Sequence, residues 1–221
     1  MTNLRPAIVF LILFFTMQGL IFIATTDAPS AAELEEQGKL QSLLAGSPGE
    51  RKQALNWLAR YGRQTAVPPV ADRLLDDNPG VRELAESTLW AIWSRSGSVR
   101  VDEMLKFGSY LMANGRVRQA VSIFDEVISD RPDFAEGYNK RATAWYLLGR
   151  YQHSLDDIAR TLEQNPYHFG ALSGAGYCMI KLERMSEAVD YLKRALKINP
   201  NLESVRKLAR SIERELSKKS I

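Results

Sequence analysis

The chain is poor in the residues that build disulfides, metal sites and catalytic centres. It has one cysteine, Cys178, and two histidines, His153 and His168, among 221 residues. A single cysteine excludes a disulfide within the chain and a metal site built from several cysteines. Cys178 lies in a helical stretch of small residues, where a buried side chain is expected rather than a reactive thiol. We therefore expect no metal and no cofactor.

Motifs for phosphate binding and for general base catalysis are also lacking. No GxxxxGK[ST] or GxGxxG segment opens a helix, so the sequence shows no phosphate loop. Both His153 and His168 are expected on solvated surface beside turns, His153 next to Asp156 and Asp157, where neither is a positioned base. Those two acids point about 100° apart on a helix and do not converge on a substrate, so both are expected on a solvated face. We expect no enzyme; a hydrolase of unrecognised type stays an alternative.

The net positive charge of the chain is small and does not indicate a nucleic-acid partner. The net charge is +3, too mild to imply a nucleic-acid partner by itself. Residues 193–221 hold nine Lys or Arg against three Glu, and no aromatic residue follows Tyr191 to stack on bases. This basic end is expected to be a soluble outer face, with contact to an anionic membrane or an acidic partner as the alternative.

The N-terminus carries the pattern of an export signal. Residues 7–24 are almost continuously apolar, with Arg5 before the run and Asp27 after it. As a helix the run spans roughly 27 Å, close to the thickness of a hydrocarbon core. Small residues near position 30 permit cleavage before Glu33, whereas the length of the run favours a retained anchor. We predict a signal or signal-anchor over 1–32, with the rest of the chain exported (periplasmic or secreted if cleaved).

The strongest signal is an internal repeat of 34 residues. Prolines recur at this spacing, and small and large apolar positions follow the same register. The prolines end helices, small residues allow two helices to approach closely, and glycines permit a left-handed helix end. The aligned sets are Pro132, Pro166 and Pro200; Gly108, Ala142 and Gly176; Leu111, Trp145 and Met179; Phe124, Ile158 and Leu192; and Gly115, Gly149 and Glu183.

This pattern resembles the tetratricopeptide repeat family over residues 101–202. The resemblance implies an all-α solenoid of antiparallel helix pairs, with units at 101–134, 135–168 and 169–202. Residues 203–219 carry an apolar stripe at helical spacing and are expected to cap the last unit. Three departures stand out from the family pattern: Ser154 for alanine, Glu183 for glycine and Arg141 for leucine.

Residues 47–97 are helical in pattern but follow a different register. Asn78 caps a helix with Pro79 at its first position, and the run from Asp77 to Arg82 resembles the second-helix signature of HEAT repeats. That resemblance implies a segment that extends the repeat stack on its N-terminal side. Residues 33–46 are expected to be a polar or helical linker.

A stack of helix pairs has a concave surface lined by the first helix of each unit, here called the groove. Its mixture of aromatic, flexible and hydrogen-bonding side chains suits an extended peptide or a partner helix. The predicted groove residues are Leu105, Ser109, Met112, Asn139, Thr143, Tyr146, Ser173, Tyr177 and Ile180.

The expected function is a scaffold or assembly factor that binds a protein partner in the groove. Related chaperone-binding proteins grip a partner's terminal carboxylate with basic and amide side chains. The positions of this chain that correspond to those carboxylate-binding residues are Leu105, Ser109, Lys140, Gly170 and Gly174. Only Lys140 among them is basic, so binding of a terminal carboxylate is not expected. An accessory subunit of an enzyme complex and a self-associating solenoid, marked by Trp90, are the alternatives.

Overall fold

The computed structural model describes residues 29–219, and their regular structure is helical. The first four helices form a segment that precedes the repeats. They are α1 (Ala31–Ala45), α2 (Pro48–Tyr61), the short α3 (Val67–Asp72) and α4 (Pro79–Trp93). Single 3-10 turns at Gln64–Ala66 and Arg73–Leu75 flank α3.

Seven further helices follow the 34-residue register. They are α5 (Val99–Ala113), α6 (Val117–Asp130), α7 (Ala135–Leu147), α8 (Tyr151–Gln164), α9 (Phe169–Lys181), α10 (Met185–Ile198) and α11 (Glu203–Lys219). Consecutive helices α5 to α10 form three antiparallel pairs, and α11 packs on α10. The described chain is therefore all-helical, and its repeats form a solenoid.

The two helices of each pair meet where a small residue faces a large one. Gly108 of α5 lies against the ring of Phe124, and Gly176 of α9 lies against Leu192. Ala142 and Ile158 share one buried cluster in the middle pair. The same contact thus recurs three times, which is why the sequence repeats these positions.

Each first helix ends in a left-handed residue. Gly115 and Gly149 have φ of 75° and 72°, and Glu183 takes the third position with φ of 59°. A side chain in this region is unfavourable, so Glu183 holds a strained conformation that the surrounding repeat geometry imposes. The departure from glycine therefore leaves the turn unchanged.

The other two departures from the repeat pattern are matched by a partner. The Arg141 guanidinium donates two hydrogen bonds to Asp157, at 2.9 and 2.7 Å, and one to Asp125 at 2.7 Å. The Cys178 thiol donates to the Ser154 hydroxyl at 3.3 Å. Asp157 was expected on a solvated face, and that prediction is wrong because the carboxylate is buried against Arg141.

Cys178 is fully buried, as its surroundings predict, and burial raises the pKa of its thiol.

At the C-terminal end of the repeats, the apolar stripe of α11 covers the third pair. Val205, Ala209 and Ile212 are buried there together with Leu192. This is the capping contact that a solenoid needs at its end.

The first helices begin with strong caps. Ser30 and Glu33 form a capping box at the start of α1, and Ser47 and Glu50 form another at α2. Asn78 caps α4 by accepting from the Val81 amide, as the sequence predicts. The expected linker at 33–46 is mostly helix α1, which packs on α2 and belongs to the folded body.

The segment α1–α4 does not extend the stack; it lies along the edge formed by the loops between units. From its C-terminal end backwards, α4 meets successive loops: Trp93 stacks on His168, and Glu86 accepts from the Asn199 amide at 2.9 Å. Trp93 and Glu86 are seven residues apart on α4, which corresponds to a rise of roughly 10 Å along the helix. This rise matches the distance between packed helices, so each of the two residues reaches the loop of a different unit. The expected N-terminal extension is therefore wrong, because α4 runs across the repeats.

Two further bonds fasten this edge at its ends. The Asn201 amide donates to the carbonyl of Leu74 at 2.9 Å, and the Arg131 guanidinium donates to the carbonyl of Ser96 at 2.6 Å. Apolar residues of α2, α3 and α4 share one buried cluster with Phe169 of α9. The segment and the repeats therefore have a common core.

Within residues 29–219 no helix is long and apolar enough to cross a membrane. The apolar run at 7–24 lies outside the described residues, and its role as a signal or anchor stays a prediction.

The close contact within each pair can be tested with Gly176→Ala. An added Cβ would lie 2.6 Å from Cδ2 of the buried Leu192, so we expect a loss of about 1–3 kcal/mol in the free energy of unfolding. Gly38→Ala is the matched control, because a Cβ there meets nothing within 4 Å, and we expect a gain of about 0.5–1 kcal/mol. Urea unfolding of the full-length variants measures both; equal midpoints would contradict the packing account.

Candidate functional site

The groove contains an open cavity of about 340 Å³ between α7 and α9. We call it the central cavity. Its walls carry two tyrosines from neighbouring units, and its floor is made of small residues of α9. The lining residues are Asn139, Ala142, Thr143, Tyr146, Leu147, Ser154, Ile158, Gly170, Ala171, Gly174 and Tyr177.

Four of the nine predicted groove residues line the central cavity: Asn139, Thr143, Tyr146 and Tyr177. All four come from the second and third units. Thr143 is exposed, Tyr146 and Tyr177 are half-buried, and the Tyr146 ring packs on Tyr151 with centroids 5.6 Å apart. The cavity therefore combines aromatic surface with accessible polar atoms.

The other five predicted residues lie elsewhere. Leu105 is only 3% exposed and sits in the core of the first pair, so it offers no surface to a partner. The Ser109 and Ser173 hydroxyls donate to the backbone carbonyls four residues earlier. Met112 packs against the core of the first pair, and Ile180 packs against the cluster under the capping helix.

A buried carboxylate stands behind the central cavity. Glu136, at the start of α7, accepts from the Asn139 amide at 3.1 Å and pairs with the Lys140 ammonium at 3.2 Å. His168 Nε2 contacts the same carboxylate at 2.9 Å. Burial disfavours the charged form, but the interactions with His168 and then with Lys140 together outweigh it and hold the pKa of Glu136 below its usual value.

The surroundings of His168 fix its tautomer. Its Nδ1 accepts from the backbone amide of Ala171 at 3.0 Å and so caps α9. Since that nitrogen uses its lone pair, the proton of a neutral ring is on Nε2, which donates to Glu136. The ring stacks on Trp93 with centroids 4.3 Å apart. His168 thus joins the N-terminal segment to the carboxylate behind the cavity.

Several residues expected on the surface take structural positions. His168 was predicted to be solvated, and this is wrong because it is 0% exposed between Trp93 and Glu136. Trp90, expected to mark a free end, packs edge-on against Phe169 and lies beside Gly170. His153 is exposed as predicted, with its ring 5.2 Å from that of Trp145.

The sequence patterns missed the floor of the cavity and its supporting carboxylate. A Cβ on Gly170 would lie 2.5 Å from the Trp90 ring, so that ring fills the space beside this glycine, whereas a Cβ on Gly174 would meet Ile158 at 3.5 Å. Both glycines line the cavity, and because they are four residues apart they lie on one face of α9. That spacing was a usable signal. Glu136 gave none, because its partner His168 is 32 residues away.

Comparison with known proteins agrees with this geometry. The sequence profile of the tetratricopeptide repeat matches residues 105–168 and 148–203. A TPR repeat-containing protein of Rhizobium etli is 38% identical over 82 residues, which are 37% of this chain and 40% of that relative. The chain thus matches less than half the length of this relative. It contains tetratricopeptide repeats.

Solved structures show the same fold. The TPR domain of Sgt2 from Aspergillus fumigatus superposes with a TM-score of 0.53 at 15% identity, covering 56% of this chain and 83% of that domain. The first TPR domain of Spaghetti (RPAP3), bound to an HSP90 peptide, gives 0.51 at 20% identity and covers 53% of this chain and 93% of that domain. The repeats of this chain therefore have the architecture of tetratricopeptide solenoids.

The buried carboxylate predicts a specific dependence of stability on pH. A pKa lowered in the folded state stabilises the fold above the unfolded value and loses that effect as the pH falls through the folded pKa. At pH 7 we expect Glu136→Gln to cost about 1–3 kcal/mol of unfolding free energy. Its difference from the wild type should shrink as the pH falls below about 4.

Chemical unfolding of both proteins between pH 7 and about pH 3 measures this difference. Glu187→Gln is the control, because Glu187 pairs with Arg184 on the exposed side of α10 and surface pairs stabilise little. A difference for Glu136→Gln that stays constant with pH would contradict an ionised buried carboxylate.

Proposed function

We propose that this chain is a non-catalytic scaffold or assembly factor that holds a segment of a protein partner in the groove. The observation that carries the proposal is the central cavity, about 340 Å³ of open space between two repeat units. Its volume suits one or two side chains of a bound peptide.

The lining of the cavity supports peptide binding. Tyr146 and Tyr177 present half-buried rings on neighbouring units, and aromatic residues in partly desolvated positions dominate the energetics of many protein interfaces. Gly174 has no side chain on the floor of the cavity, where a Cβ would meet only Ile158, at 3.5 Å. Large rings beside small residues make a pocket for an anchoring side chain.

The mode of binding differs from capture of a terminal carboxylate. The Spaghetti (RPAP3) domain is bound to an HSP90 peptide, which supports a peptide-binding role for this fold. In this chain, however, Lys140 is engaged by Glu136 and two of the corresponding positions are glycines. We therefore propose an internal segment of the partner, held by its side chains.

We further propose that the partner is met on the exported side of a membrane. This rests on the apolar run at 7–24 and the positive charge before it, which lie outside the described residues. If the bound partner is an enzyme, the same proposal makes this chain an accessory subunit of an enzyme complex. Self-association through Trp90 has no support, because Trp90 packs within the chain.

Site-specific photocrosslinking in native cells tests the proposal. A photoreactive residue replaces Leu147, which lines the central cavity and is 55% exposed, and the adducts are identified by mass spectrometry. We expect an exported partner, and we expect Tyr146→Ala/Tyr177→Ala to reduce the adduct at least about tenfold because it removes both rings.

Tyr61→Ala/Tyr110→Ala is the matched control, since it removes two tyrosines that are about 60% exposed and lie outside the cavity. The control should leave the adduct unchanged. An adduct that survives loss of Tyr146 and Tyr177 would show that the groove is not the site. A partner confined to the cytosol would contradict the proposed location.

A further inference from the structure

We propose that the central cavity selects a partner side chain that donates hydrogen bonds and rejects a carboxylate, because Glu136 fixes Asn139 as an acceptor. This inference rests on the proposed function of the groove and names the chemistry of what it binds. Glu136 acts as a positioning residue, and Asn139 supplies the atom that contacts the partner.

The first step concerns the orientation of the Asn139 amide. One oxygen of the Glu136 carboxylate, Oε2, lies 3.1 Å from Nδ2 of Asn139 and 2.9 Å from Nε2 of His168. The other oxygen, Oε1, forms an ion pair with the Lys140 ammonium. An ionised carboxylate only accepts hydrogen bonds, so the amide nitrogen of Asn139 must face it. The carbonyl oxygen, Oδ1, is the atom that remains for the cavity, where it can only accept.

The second step concerns the neighbouring hydroxyl. Thr143 lies one turn further along α7 and also lines the cavity. Its hydroxyl donates to the backbone carbonyl of Asn139 at 3.0 Å, so its proton is used and its lone pairs are left. The fixed polar groups of α7 at the cavity are therefore two acceptors, while the hydroxyls of Tyr146 and Tyr177 can turn to donate or to accept.

The third step concerns the groups that could attract an anion. Lys140 is held by Glu136, and its charge is balanced there. The first turn of α9 would favour an anion, but His168 caps the Ala171 amide, and the ring of Trp90 lies against Gly170. Neither Lys140 nor the first turn of α9 is therefore free to bind a carboxylate in the cavity. An N–H group of the partner, by contrast, finds the acceptor oxygens of Asn139 and Thr143.

Three aromatic probes of the same shape test this selectivity on the full-length protein. Benzamidine is a cationic donor, benzamide both donates and accepts, and benzoate is an anionic acceptor. Binding is followed by the NMR shifts of labelled tyrosine rings, assigned with Tyr146→Phe and Tyr177→Phe. We expect benzamidine to bind at least about tenfold more tightly than benzoate, with benzamide between them. The net charge of +3 acts in the opposite direction.

Two variants separate the proposed cause from simple charge. Asn139→Ala keeps the charge of Glu136 and removes the acceptor, so we expect the preference to fall below about threefold. Glu136→Gln lets the facing amide turn over, and we expect a similar fall. Glu187→Gln removes a distant carboxylate in an exposed ion pair and should leave the preference unchanged.

The outcomes distinguish this inference from the function on which it rests. Equal binding of benzoate and benzamidine, with shifts at Tyr146 and Tyr177, would overturn the selectivity and leave the groove as a binding site. A preference that survives in Asn139→Ala would assign it to charge and would also overturn the inference. No shift at either tyrosine with any probe at millimolar concentration would overturn it as well, whereas loss of the binding site itself is judged by the partner crosslink.

Discussion

The buried carboxylate of Glu136 is the constraint on which the other contacts of the described chain depend. An ionised group removed from water is costly unless hydrogen-bond donors or an opposite charge compensate it. Here His168 and Asn139 contact one carboxylate oxygen, and the Lys140 ammonium lies 3.2 Å from the other. Each of these three residues also has a second role, so the one desolvated carboxylate fixes the cap of α9 through His168, the orientation of the Asn139 amide at the cavity and the position of the Lys140 charge.

His168 carries this constraint across the molecule. Its ring is stacked on Trp93, so the N-terminal segment covers the imidazole and excludes water from its bond to Glu136. The segment meets the loops between units rather than the end of the stack. This makes α4 a brace that runs across the repeats, and its loss would expose the His168–Glu136 pair to water and weaken it.

The repeats could be predicted from the sequence because the same contact between a small and a large residue recurs in all three helix pairs. Gly108 and Gly176 recur where a large side chain of the next helix must fit, and a recurring contact leaves a period. The unusual residues of the pattern did not reveal their reasons. Arg141 needs Asp157, and Ser154 accepts from Cys178; each is a single pair with no repeat to mark it.

The placement of the N-terminal segment could not be predicted, because its contacts join residues far apart in the chain. Asn199 and Glu86 are 113 positions apart, and neither residue type announces the other. The groove was predicted in part for a similar reason. Helical spacing predicted that Tyr146 and Tyr177 share a face, and both line the central cavity, but it could not show that Leu105 turns into the core or that Trp90 fills the space beside Gly170.

Nitrogen-15 NMR of the His168 ring at about pH 7.5, where an ordinary histidine is neutral, tests the central claim most directly. It reports which ring nitrogen carries the proton and whether the other accepts a hydrogen bond. The account predicts a proton on Nε2 and an accepting Nδ1. A proton on Nδ1, or a ring protonated on both nitrogens, would contradict it, because α9 would then lose its cap and the carboxylate of Glu136 would no longer be held as described.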